Sequence, residues 1–314
     1  MTVYDKPVLT SCQHIEQWQA RGLQVPDLGR ACHYLEVISY YRFSAYSVPF
    51  QHGNPRHQFR EGSGFDDLID LYIFDRELRL LILDAVERIE VALRASMTNV
   101  LAEHHGSHAY LDALIFDTRY NHDWLLTQIE RKCADHKVEP FIDHYRRKYT
   151  EPSLPPIWMV LEILTFKEVS VLFSHLRLKD DKQALSQFWG VPDVLLRSWF
   201  RALSDLRNVC AHHSRVWNRE FGSRPKQSRK PLPHWPDMSA VVIASAQGQQ
   251  SIEPSNRLYG LLVVTEFLLK RVNPSSDWHG RLFALIQKHS KVSKAHMGMP
   301  EDWHKEPFWR LTTD

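Results

Sequence analysis

The sequence predicts an all-α chain. Apolar residues recur at helical spacing almost throughout, and strict strand-like alternation is hard to find over more than a few residues. The 12 glycines and 17 prolines gather at breaks between long uninterrupted segments. A hydrophobic content of 43% in 314 residues supplies a core and excludes disorder as a description of the whole chain.

Taken in order, Ser11 can cap a first helix that runs to about Arg21. Pro26 sits at a first-turn position opening a second helix with Cys32, Leu35, Ile38 and Tyr41. Tyr40 to Phe43 then break into a loop, followed by turn-rich stretches from His52 to Arg56 and from Glu61 to Gly64. From Phe65 to about Glu103 there is no glycine or proline, which predicts one long helix. Asp75, Arg76, Arg79, Glu87, Arg88, Glu90 and Arg94 lie within it among leucines and isoleucines. A solvated face is the plain reading, partners of a polar site the sharper one, and Glu90 and Arg94 are spaced to pair across one turn.

Helices are expected over Asn121 to His136 and Val138 to Tyr149, with Glu151 to Pro156 as a break. Ile157 to Phe166, Lys167 to Leu176 and Asp181 to Trp189 follow, and Pro192 then starts a helix with a stripe of Leu195, Leu196, Trp199, Leu203 and Leu206. From Phe221 to about Pro254 no periodicity is convincing, and four prolines argue for a long loop. Tyr259 to Val272 and Trp278 to Ser290 resume the helical pattern, while the end of the chain, with Trp303 and Trp309, is too irregular to assign. The expected organisation is an N-terminal helical segment over 1–60, a helical core over 61–291 and an irregular tail over 292–314.

The 39 basic and 37 acidic side chains leave a formal charge of +2, which excludes wholesale coating of a polyanion. Any nucleic-acid contact must rest on local patches. No run of eighteen apolar residues suggests a membrane span, and the start lacks an apolar stretch after a basic one, so a cytoplasmic protein is expected. The four cysteines, Cys12, Cys32, Cys133 and Cys210, contain no CxxC pair and suggest neither a disulfide framework nor a zinc ribbon.

The densest polar chemistry runs from Leu206 to Arg219. An arginine five residues before a histidine suits RNA cleavage without a metal. Arg207 can hold the scissile phosphate by two hydrogen bonds, while His212 takes the 2′-hydroxyl proton or protonates the leaving oxygen. The spacing alone is weak, since 18 histidines supply such pairs by chance. Three occur: Arg131/His136, which reads as basic surface, Arg229/His234, which lies in a loop broken by Pro231 and Pro233, and Arg207/His212. Only the last has Asn second, and Asn208 shares a helix face with His212, so it could orient the imidazole. Arg207 and His212 are themselves ~140° apart on an ideal helix. Either the helix distorts near His212, or two copies of the motif face each other in a homodimer, the arrangement favoured here.

Lys6-Pro7, Arg21-Gly22-Leu23, Tyr40-Tyr41-Arg42, Leu71-Tyr72 with Phe74-Asp75, Leu78-Arg79, Ile89-Glu90, Pro156-Ile157-Trp158, Arg207-Asn208 and Cys210-Ala211-His212-His213 together resemble the Abi-like abortive-infection proteins of bacteria, the AbiD/AbiF type. Those look like members of the HEPN superfamily of helical, usually dimeric, metal-independent ribonucleases. The resemblance spans most of the chain and departs at Lys167, where glycine would be expected. It implies an HEPN-like helical bundle with extra N-terminal helices and a long loop after the motif. It also implies Arg207 and His212 as catalytic residues with Asn208 as companion, supported by His213, Glu90 and Arg94, and no cofactor. A related class with tyrosine two places after the histidine acts as a toxin; here that place holds Ser214.

Between Ser214 and Lys230, six basic residues (Arg215, Arg219, Arg224, Lys226, Arg229 and Lys230) face one acid, Glu220, a candidate RNA-binding segment. Trp217 and Trp235 could stack on bases, and Trp217 reads equally as core. Cys210, His212, His213 and His234 lack standard zinc spacing, and no metal is expected. The expected function is an endoribonuclease of phage defence, restrained by a regulatory RNA or protein. The alternative is a non-catalytic RNA-binding or sensor protein on the same scaffold.

Overall fold

The computed structural model describes residues 7–310 apart from 54, 55, 136, 231, 246 and 247. Lys6, His136 and Pro231, named above, lie outside the described residues, as do residues 311–314. The fold is all-α with one small hairpin.

Helix α1 (Ser11–Ala20) is capped one residue earlier than expected, by a reciprocal box between Thr10 and Gln13. Helix α2 (Leu28–Ile38) starts after Asp27, whose side chain accepts from the Arg30 amide. Ser39 then takes φ 70° and caps a separate helix, α3 (Tyr40–Ser47), so the aromatic block expected as loop is helical and Tyr41 belongs to it. Cys12 on α1 and Cys32 on α2 are disulfide-bonded across the packed helix pair, correcting the expectation of four unpaired cysteines. Two cysteines 20 positions apart carry no spacing signal, and only the hairpin-like return of α2 onto α1 brings them together.

The predicted long helix is α4 (Phe65–His105), 41 residues ended at Gly106. It is the spine: α3, α7 (Ile157–Ile163), α8 (Phe166–Ser174), α9 (Lys179–Trp189), α10 (Asp193–Ala211), α11 (Leu258–Val272) and α12 (Trp278–Lys288) all pack on it. Helix α11 is buried on nearly all sides over Leu258 to Thr265, the environment an all-round apolar helix needs. Gly260 lets it approach the preceding turn, since an added Cβ would lie 3.0 Å from the Pro254 carbonyl. Helices α5 (His122–Ala134) and α6 (Pro140–Lys148) add Leu125, Ile129 and Ile142 to the core.

Two regions expected to be irregular contain regular elements among the described residues. Within 221–254, β1 (Val241–Ser245) pairs antiparallel with β2 (Gly248–Ile252), with Val241 opposite Ile252. The mostly polar β2 hides the alternation that would reveal a strand. The C-terminal segment forms tight turns and α13 (Pro307–Arg310), with Trp303 and Trp309 buried edge to face. One apolar cluster therefore extends from Ile15 on α1 to Trp309 on α13. Among the described residues no helix is long and apolar enough to cross a membrane.

Candidate functional site

Helix α10 buries Leu195, Leu196, Trp199, Leu203 and Leu206 as its spacing predicts, leaving Arg207 on the outside. It remains α-helical through Ala211 and ends in a closed turn: Ser214 donates to the Val209 carbonyl, His213 to that of Cys210. His213 adopts φ 57° at the position where glycine usually closes such a turn. His212 is therefore the first residue beyond the helix and is exposed. Because α10 is undistorted between Arg207 and Ala211, helical spacing sets the two residues ~140° apart.

The support of this end comes from α4. Glu90 accepts from Arg94 with one carboxylate oxygen, and its other lies 3.8 Å from Arg207 Nε. Arg94 is buried and donates to the Leu161 and Leu164 carbonyls at the end of α7. Arg207, its side chain 44% exposed, also donates to Asn208 Oδ1 at 3.4 Å. The Asn208 side chain thus meets Arg207, while its tie to His212 is the backbone bond from the His212 amide.

Asp75, fully buried, accepts from the Val216 and Trp217 amides at 3.0 and 2.7 Å, from the Tyr46 hydroxyl and from Arg79. Burial pushes its carboxyl up, opposed first by the Trp217 amide and the Arg79 charge. The carboxylate fixes the chain leaving the motif, and Arg42 adds a bond to the His213 carbonyl at 2.6 Å. The charges of α4 are thus split: Arg76 and Glu87 meet solvent, whereas Asp75, Arg79 and Arg94 are buried, against the solvated-face reading. The sequence offered Asp75 and Arg79 as partners of a polar site only in the sharper of two readings, and Arg42 only within a block of the resemblance. Cys210 is buried beside this network with its thiol pushed up to about 12, which disfavours the thiolate a metal needs.

The expected RNA-binding residues separate. Arg215 turns inward, bonding the Ala45 carbonyl and lying over Tyr46, so it is not a free cation for RNA. Arg219 lies over Phe221 at 6.0 Å and is exposed. Trp217 is buried and donates to the Ser293 carbonyl, so its core reading holds, whereas Trp235 is half-buried and stacks on Trp199 at 5.6 Å. Arg224 and Lys226 line a cleft of about 700 Å³ with Arg119, Arg197 and Arg201. Lys226, Arg229 and Lys230 edge an adjoining groove of about 750 Å³. The chain after Ser223 is held along α10 because Ser198 and Trp199 bond the Arg224 and Lys226 backbone. Arg119, Arg197 and Arg201 were missed. For Arg197 and Arg201 the signal was phase, since they fall with Asn208 and His212 within ~60° of arc along α10, whereas Arg119 comes from a distant turn that carries no such signal.

No curated protein and no solved structure matches the chain. Residues 33–218, more than half of the chain, match the family described as Abi-like protein, a span that includes Arg42, Asp75, Glu90, Arg94, Arg207 and His212. The chain therefore belongs to the Abi-like family of abortive-infection-type proteins.

Proposed function

We propose that the chain is a metal-independent endoribonuclease with an HEPN-like site, acting in phage defence. The observation that supports this most is the exposed His212 at the open end of α10, in phase with a cleft lined by five cationic side chains. Arginines and a lysine there suit an RNA backbone, and its affinity should fall with salt. The 2′-hydroxyl attacks the adjacent phosphorus as His212 takes its proton, or His212 protonates the departing 5′ oxygen. Arg207 stabilises the charge gathering on the phosphoryl oxygens. The products are a 2′,3′-cyclic phosphate and a 5′-hydroxyl.

Because Arg207 and His212 diverge on one helix, the competent site combines Arg207 of one copy with His212 of a second in a symmetric dimer. Val37, Tyr41 and Leu80 are exposed apolar residues near the groove that includes His213, a face a second copy would cover. Mixing Arg207→Ala and His212→Ala chains tests this arrangement. Each alone is silent, whereas mixed dimers regain one intact site in two. Cleavage held within a single copy gives no recovery. A regulatory RNA or protein would keep such an enzyme from harming its host.

A further inference from the structure

We propose that His104, His105 and Asp181 form a binding site for a divalent transition-metal ion of the zinc type, separate from the RNA site. The two histidines end α4, and Asp181 lies in the first turn of α9. His104 Nδ1 is 2.6 Å from Asp181 Oδ1, and His105 Nε2 is 3.0 Å from both carboxylate oxygens.

Successive side chains on a helix diverge by ~100°, so neighbouring imidazoles ordinarily face different surroundings. Here both converge on one carboxylate that is 1% exposed, with their rings nearly perpendicular at 88°. Helix dipoles favour an acid at the start of α9 and bases at the end of α4, but they do not aim two adjacent rings at one acid.

The donor types suit such an ion, since a divalent transition metal takes imidazole nitrogens and a carboxylate oxygen together. The candidate ligand atoms lie within 4.8 Å of one another. Metal bonds of roughly 2.0–2.2 Å allow ligand atoms at most about 4 Å apart, so under ~1 Å of side-chain contraction closes the site. Two imidazoles with one carboxylate favour zinc over magnesium or calcium, which prefer oxygen ligands. The histidine side chains are 32% and 23% exposed, which leaves an outward position for water.

The ion would bridge the end of α4 to α9, which also packs against α10. Fourteen residues of helix, ~21 Å, separate His104 from Glu90, so the bridge is a structural one.

The test uses the full chain freed of metal by a chelator and titrated with Zn²⁺ and Co²⁺. The expected result is uptake of one equivalent, a higher melting temperature with Zn²⁺, and visible absorption bands with Co²⁺. Asp181→Asn and His105→Gln should each weaken binding at least about tenfold, with circular dichroism verifying the helices. X-ray absorption of the zinc-loaded wild type needs no variant and should report nitrogen and oxygen ligands including imidazole. Sulfur ligation, or uptake no greater than that of the His104→Gln/His105→Gln chain, would overturn the proposal.

Discussion

The carboxylate of Glu90 on α4 lies 3.8 Å from Arg207 Nε on α10 and also binds the buried guanidinium of Arg94. One acid thus links a buried cation to an exposed one. Arg207 is too exposed for its ion pair to stabilise the fold by more than about 1 kcal/mol. Arg207→Ala should therefore leave the melting temperature within a few degrees of wild type while removing RNA cleavage. Thermal melts and a cleavage assay on the same preparation separate this from a structural arginine, whose loss would lower the melting temperature markedly.

Glu90→Gln should act differently. Arg94 keeps its carbonyl acceptors but loses its counter-charge, so stability should fall by about 1–3 kcal/mol in urea denaturation. On the proposed function cleavage should fall as well, with RNA affinity less affected, because Glu90 lies beside Arg207 and is mostly covered.

Asp75→Ala should be the most damaging of these changes. It leaves Arg79 buried without a counter-charge and orphans the Val216 and Trp217 amides. Breaking such a buried pair costs about 3–5 kcal/mol, measurable as a lower denaturation midpoint.

Glu266 on α11 is buried, which pushes its carboxyl from the usual 4.5 up to about 7, with Lys270 opposing. The folded chain then holds this proton more tightly than the unfolded chain. Its stabilising effect is full below 4.5 and is lost as pH rises through about 7. His279, 3.2 Å away, is itself held toward its neutral form by burial. Glu266→Gln should flatten the fall in stability over this range and gain up to about 3 kcal/mol above it. Denaturation of both chains across pH checks this, and an unchanged slope would contradict it.

The disulfide is open to a direct count. Without reductant, denatured chain should react with a thiol reagent at Cys133 and Cys210 only, and after reduction also at Cys12 and Cys32. Four reactive thiols in unreduced protein would return the pair to the free state that the sequence suggested.

Helices were legible where one face is apolar at 3.6-residue spacing, as for the α10 stripe from Leu195 to Leu206. Breaks were less legible. Ser39 separates α2 from α3 with a positive φ that no glycine marks, and the polar β2 strand gives no alternation. The motif was visible in order and spacing, and the Glu90–Arg94 pair forms as its spacing suggests. Its surroundings were not, because a charge on a helix looks the same in sequence whether it meets water or, like Asp75, meets two backbone amides 141 and 142 positions away. Arg215 and Trp217 illustrate the converse: an apparent binding surface turns partly into the core.

The most direct measurement incubates wild-type chain and His212→Ala with a mixed pool of labelled RNAs in EDTA and reads the fragment ends. The expected result is cleavage by the wild type alone, leaving 2′,3′-cyclic phosphate and 5′-hydroxyl ends, with RNA binding retained by both. Equal cleavage by the two chains, or RNA binding by both with no cleavage, would contradict a ribonuclease centred on His212.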